Sequence, residues 1–122
     1  MMMTGNVRAR HILMPVIFHL PGLPSVSLEC VADTGFTGLL TLPPAAVTAM
    51  GLPFLYSIPA QLADGSFVEV AIHSATIVWK GVELEVRVLA TGVRPLLGTE
   101  LLDGSELMAQ FREEGLATVD DL

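Results

Sequence analysis

The sequence predicts one mostly β domain spanning residues 1–122, made of short strands and hairpins with one or two short helices. Three observations predict it. Eight Pro and 11 Gly are spread along the chain, which breaks it into many short elements joined by turns. Val82-Glu83-Leu84-Glu85-Val86-Arg87-Val88 alternates apolar and charged residues without a break, the period of a strand with one buried face. Asp64-Gly65 lies between two long apolar segments, a hairpin-turn signal. At 122 residues, 52% hydrophobic and 16% charged, the chain has the length and core material of one ordinary domain and is not disordered.

The elements follow in order. Val7 to Leu20 reads as an extended strand interrupted by Pro15, at an edge or bulge. Pro21 to Ser25 is a turn, and Val26 to Ala32 a second strand that completes a hairpin. Asp33 to Gly38 is a tight glycine-bounded loop, and Leu39 to Leu42 a short buried strand. Pro43 to Gly51 reads as a small helix, with proline at its start and glycine just past its end. Leu55 to Leu62 and Phe67 to Trp79 form a long hairpin whose tip should project from the body. Lys80-Gly81 is a turn into the alternating strand, whose even positions are expected to face a core. After a loop at Thr91 to Pro95 comes Leu96-Leu97-Gly98. A short helix capped by Thr99 is expected within Thr99 to Met108, then a last hairpin over Gln110 to Val119 and a frayed end.

The formal charge of −7 and the lack of a basic stripe set nucleic acid aside as a partner. No stretch approaches the roughly 18 apolar residues of a membrane span. The run Ile12 to Phe18 is interrupted by Pro15 and lacks a small-x-small cleavage site, so it does not read as a signal peptide. A single cysteine, Cys30, cannot form an intrachain disulfide, which fits a reducing, cytoplasmic setting.

Only Val31-Ala32-Asp33-Thr34-Gly35-Phe36-Thr37-Gly38 looks chemically arranged. An acid leaves an apolar strand directly into a turn. The glycine two residues later lets backbone N–H groups approach the carboxylate, orienting it and favouring its charged form. Cys30 precedes the motif at opposite strand parity and reads as an inert buried residue. His11, His19 and His73 lack metal-ligand spacing, so no metal or other cofactor is expected. Glu83 and Glu85 read as a solvated strand face, and Trp79 and Phe111 as core.

Asp33-Thr34-Gly35, followed by Leu39-Leu40-Thr41-Leu42-Pro43, resembles the active-site segment of clan AA aspartic proteases, and within them the single-lobe, retropepsin-like bacterial members. The hairpin tip Ala63-Asp64-Gly65 sits where that family keeps its flap. Leu96-Leu97-Gly98 matches its second hallmark, two apolar residues and a glycine before the C-terminal helix. The resemblance spans Val26 to Leu107 and implies an acid-protease half-barrel with a flap hairpin.

The resemblance also implies a homodimer. Amide hydrolysis by this route needs one carboxylate as base and one carboxyl as acid, and the chain carries a single Asp-Thr/Ser-Gly. A two-fold axis would supply the second Asp33. The pair would share a proton and activate a water against a peptide bond. Thr34 would link the two loops, Gly35 would lie along the substrate, and Ala63, Asp64 and Gly65 would close over an extended peptide. The end of the chain, Ala117 to Leu122, does not match the apolar strand that retroviral enzymes interleave between subunits. The competing readings are a protease-like dimer that binds peptides without cleaving them, and a dimerisation module whose flap contacts a partner protein.

Overall fold

In the computed structural model, which describes residues 1–122, ten strands form one sheet that closes on itself. β1 (Met3–Arg8) and β2 (His11–His19) form a hairpin, β3 (Val26–Ala32) returns beside β2, and β4 (Leu40–Leu42) follows the Asp33 loop. Next, α1 (Pro44–Met50) leads to the long hairpin of β5 (Phe54–Gln61) and β6 (Phe67–Trp79). The chain continues through β7 (Val82–Ala90), β8 (Leu96–Leu97), α2 (Thr99–Leu102), β9 (Ser105–Ala109) and β10 (Gly115–Asp121). The strand order is β5-β6-β7-β4-β8-β3-β2-β1-β10-β9. A second pairing, β6 with β2, joins β6, β7, β4, β8, β3 and β2 into a ring. The mostly β class predicted from the sequence is the one that forms.

The ring encloses the core. Phe18, Met14, Leu40, Leu42, Ile77 and Leu97 are fully buried, each contributing roughly 1.5–3 kcal/mol by leaving water. The small helix forms where the sequence places it, with Pro44 at its first turn and Gly51 closing it in the left-handed region at φ 63°. Two links of the ring are parallel, β3 with β8 and β4 with β7. Because β3 and β4 both clasp β8, the loop between them is tied at both ends to one short strand.

Several expectations are corrected. Val7 to Leu20 is not one strand: Ala9 and Arg10 turn the chain between β1 and β2 with φ of 49° and 66°. Two-residue hairpin turns of this hand normally carry Asn-Gly, so Ala-Arg gave no signal. Pro15 lies in a gap on one side of β2, after its pairing with β1 ends at Leu13 and before that with β6 begins at Ile17. Only the second half of β7 follows the expected alternation. Val86 and Val88 are buried, whereas Val82 is 67% exposed and Leu84 40% exposed, although Trp79 and Ile77 opposite them on β6 are buried. The helix after Gly98 stops at Leu102 and has Gly98, not Thr99, as its N-cap. Ser105 to Ala109, expected inside that helix region, instead pairs with β10. Phe111 is not core but 68% exposed, on the turn between β9 and β10. The chain end is not frayed: β10 pairs through Asp121, which meets Lys80 and the Met1 amino group.

Candidate active site

The loop is built from β3 outward. The Asp33 amide donates to the Leu97 carbonyl at 2.9 Å, and the Val31 amide to that of Pro95 at 2.9 Å, so the strand end is pinned to β8. Asp33 Oδ1 accepts the Gly35 amide at 2.8 Å, and the Phe36 amide donates to the Asp33 carbonyl at 3.1 Å. The expected backbone grip on the carboxylate is thus present, through one amide. The far end of the loop is held in the same way. Gly98 donates to Leu39 at 2.9 Å, Thr99 to Phe36 at 2.9 Å, and Glu100 to Gly38 at 3.2 Å.

This explains Leu96-Leu97-Gly98 physically. Leu97 anchors β8 in the core while its carbonyl holds the acid's backbone. Gly98 is the floor: a Cβ there would collide with the Gly38 carbonyl and fall within 2.6 Å of the Phe36 carbonyl oxygen. The Phe36 ring folds back over the same spot, close to where Cβ atoms on Gly38 and Gly98 would lie, so the bulky residue packs the loop internally.

Asp33 is partly exposed at the mouth of a cleft of about 680 Å³. Ala32, Thr34 and Leu96 share its wall, and so do Arg10, Val93, Arg94 and Phe111, none of which sequence reasoning placed there. Nearness to Leu96 was the one signal that could have found Val93 and Arg94. Nothing local marked Arg10 or Phe111. A second cleft, of about 560 Å³, lies on the other side of the loop, between Gly38-Leu39 and the root of the β5–β6 hairpin at Tyr56 and Ile58.

The hairpin projects as expected, with Phe54 to Ser57 and Phe67 to Glu69 exposed on its two strands. Asp64 organises its tip by accepting the Ser66 amide at 2.9 Å and the Ser66 hydroxyl at 2.5 Å. These bonds, the hydroxyl's first, hold the Asp64 carboxyl below the usual carboxylate range. Gly65 has φ 87°, which a side chain would resist. None of Ala63, Asp64 and Gly65 lines the Asp33 cleft in the single chain. Thr34 and Gly35 are exposed at the loop's apex.

Cys30 is fully buried, and desolvation pushes its thiol up to about 12, so it is inert as a nucleophile. His19 meets Glu83 at 2.7 Å and His73 meets the Leu52 carbonyl at 2.9 Å, both away from Asp33. No three His, Cys, Asp or Glu side chains converge in a way that could hold a metal ion. No helix is long and apolar enough to cross a membrane.

Neither a protein-family profile nor a curated protein matches this sequence. Among solved structures, a retropepsin-like aspartic protease from Rickettsia conorii superposes with a TM-score of 0.56 and 16% identity, over 99% of this chain and 94% of that one. The fold is retropepsin-like. In a retropepsin-like fold traced over nearly the whole chain, Asp33-Thr34-Gly35 occupies a loop tied at both ends, and Leu96-Leu97-Gly98 is the strand that ties it.

Proposed function

We propose that this chain is one subunit of a homodimeric aspartic endopeptidase in which two copies of Asp33 face each other across a two-fold axis. The observation that carries the reading is the setting of Asp33. Its carboxylate is oriented by the Gly35 amide, its backbone is bonded to β8, and it opens on a cleft of about 680 Å³. A lone carboxylate cannot serve as base and acid in the same step, so the chemistry needs the second copy. The exposure of Thr34 and Gly35 at the loop apex supports the approach of that copy.

Two like charges at close range do not both ionise, so the pair holds one proton. The ionised Asp33 takes a proton from a water, whose oxygen attacks the scissile carbonyl carbon. The protonated Asp33 donates to the carbonyl oxygen, giving a neutral gem-diol. Return of a proton to the amide nitrogen lets the C–N bond break. The Ala63-Asp64-Gly65 tip acts as a flap over a peptide that adds as a strand to the cleft. The buried, unpaired Cys30 suits work in a reducing compartment such as the cytoplasm.

Cleavage of a diverse peptide mixture by concentrated protein, from acid to neutral pH, tests this reading beside Asp33→Asn. Cuts made by the wild type alone support it, and specific activity should rise with protein concentration as dimers form. If both proteins stay folded and dimeric yet leave every peptide intact, a peptide-binding dimer replaces the peptidase.

A further inference from the structure

Resting on that reading for the path of the peptide, we infer that the Asp33 cleft selects peptides with acidic residues flanking an apolar cleavage site. The chain carries six Lys and Arg against 13 Asp and Glu, so cations of any kind are few on its surface. Arg8 pairs with Glu29 and Glu114, Lys80 pairs with Asp121, and Arg87 lies over the Tyr56 ring at 5.9 Å. Arg10, Arg94 and Arg112 make no ion pair with any carboxylate of the chain. Arg10 and Arg94 line the Asp33 cleft, with His11 beside them, while Arg112 lies in a neighbouring pocket that Arg10 and Glu113 also line. The only carboxylate lining that cleft is Asp33 itself. Local charge in the cleft therefore runs opposite to that of the molecule.

Arg10 is informative in a second way. It occupies the left-handed region at φ 66°, which disfavours an L-residue and which Gly or Asn would tolerate better. A long cation held there against backbone preference stands on the lip of the cleft. The apolar half of the recognition comes from Val93, 93% exposed, and Phe111, 68% exposed, on the same wall. The second cleft has no such bias, because Glu85 and Glu100 line it together with Arg87. A guanidinium partly covered by a bound peptide grips a carboxylate through two parallel N–H bonds, and a dimer repeats each arginine on both sides of the scissile bond. Acidic flanks on both sides of the cut follow.

The test uses three labelled peptides with one apolar centre and Glu, Gln or Lys flanks. Their affinities for the Asp33→Asn protein are read by fluorescence anisotropy, and kcat/KM is measured with the wild type. The Glu peptide should bind roughly three- to tenfold tighter than the Gln peptide, with Lys weakest, and the preference should shrink as salt rises. Arg10→Glu with Arg94→Glu should reverse the order, and the milder Arg10→Gln with Arg94→Gln should erase it with sedimentation unchanged. Equal affinities, no binding of any peptide, or an order that survives charge reversal would overturn the inference. Loss of the dimer in the Gln pair would overturn it too, assigning the arginines to subunit contact. Cleavage indifferent to flanks sinks this inference and leaves the peptidase reading. Acid-selective binding without cleavage does the opposite.

Discussion

At the residue scale, Gly98 and Thr41 show how little room the loop and its neighbours leave. A methyl at position 98 meets two backbone carbonyls, neither of which can swing aside as a side-chain tip would. Gly98→Ala should cost about 1–3 kcal/mol in urea unfolding, an overpacking penalty, and lower kcat/KM at least a hundredfold by displacing the Asp33 loop. Thr41 is the opposite case. It is buried in β4 and its hydroxyl has no hydrogen-bond partner. Thr41→Val keeps the shape and removes the unsatisfied group, so stability should rise by about 1 kcal/mol, read as a higher urea midpoint at constant m. An unchanged or lower midpoint would mean that the hydroxyl is satisfied by water or by a second subunit.

At the element scale, the β5–β6 hairpin divides into a root and a tip with different duties. From Ala71 onward β6 pairs with β7, and over Thr76 to Val78 also with β2, as part of the barrel, whereas Phe67 to Val70 pair with β5 alone. The tip is held by hydrogen bonds: Asp64 accepts from Ser66, the Leu62 amide donates to the Ser66 carbonyl at 2.7 Å, and the Gly65 amide donates to the Leu62 carbonyl at 3.0 Å. Because the bonds from Ser66 depress the Asp64 carboxyl, they favour the closed turn above the usual carboxylate range and weaken as pH falls through the depressed value. Asp64→Ala should therefore lower kcat/KM about threefold near neutral pH while leaving Tm nearly unchanged, and the gap should close in acid. A large Tm loss would show that the tip supports the body. The existence, order and approximate bounds of β3, α1, β5 and β6 were legible in the sequence because Pro, Gly and Asp-Gly punctuate them. β1 was not, because its turn uses Ala9-Arg10. The strand at Ser105 to Ala109 was hidden because Glu100 and Asp103 look like a helix start, and its pairing with β10 is decided across the β9–β10 turn.

At the scale of the whole molecule, Asp121 fastens the last strand to the β6–β7 turn. Its carboxylate takes the Lys80 ammonium at 2.7 Å and the Met1 amino group at 3.1 Å. The Lys80 hydrogen bond is the larger of the causes that hold its carboxyl low. A lowered folded-state value stabilises the fold above the unfolded carboxylate value and ceases to do so as pH falls through the folded one. Asp121→Asn should thus lower Tm modestly at neutral pH, and the difference from wild type should shrink as pH falls below about 4 and vanish only below the depressed folded value. A difference that persists in acid would assign the effect to packing. With Met3 to Val7 and Gly115 to Val119 paired inside one chain, the terminal strands already have partners, and the free edges of the sheet are β5 and β9.

The sequence by itself determined the mostly β class, the acid at the end of an apolar strand, and the motif order that points to Asp33 and Leu96-Leu97-Gly98. These are local properties: strand period, turn chemistry and residue type at fixed spacing. Tertiary structure alone decided that β6 meets β2 to close the ring, that Gly98 bears the loop, and that Arg10, Arg94 and Phe111 stand around Asp33. Those residues are brought together by strands far apart in the chain, and no local preference encodes a meeting that only the packing of the sheet creates.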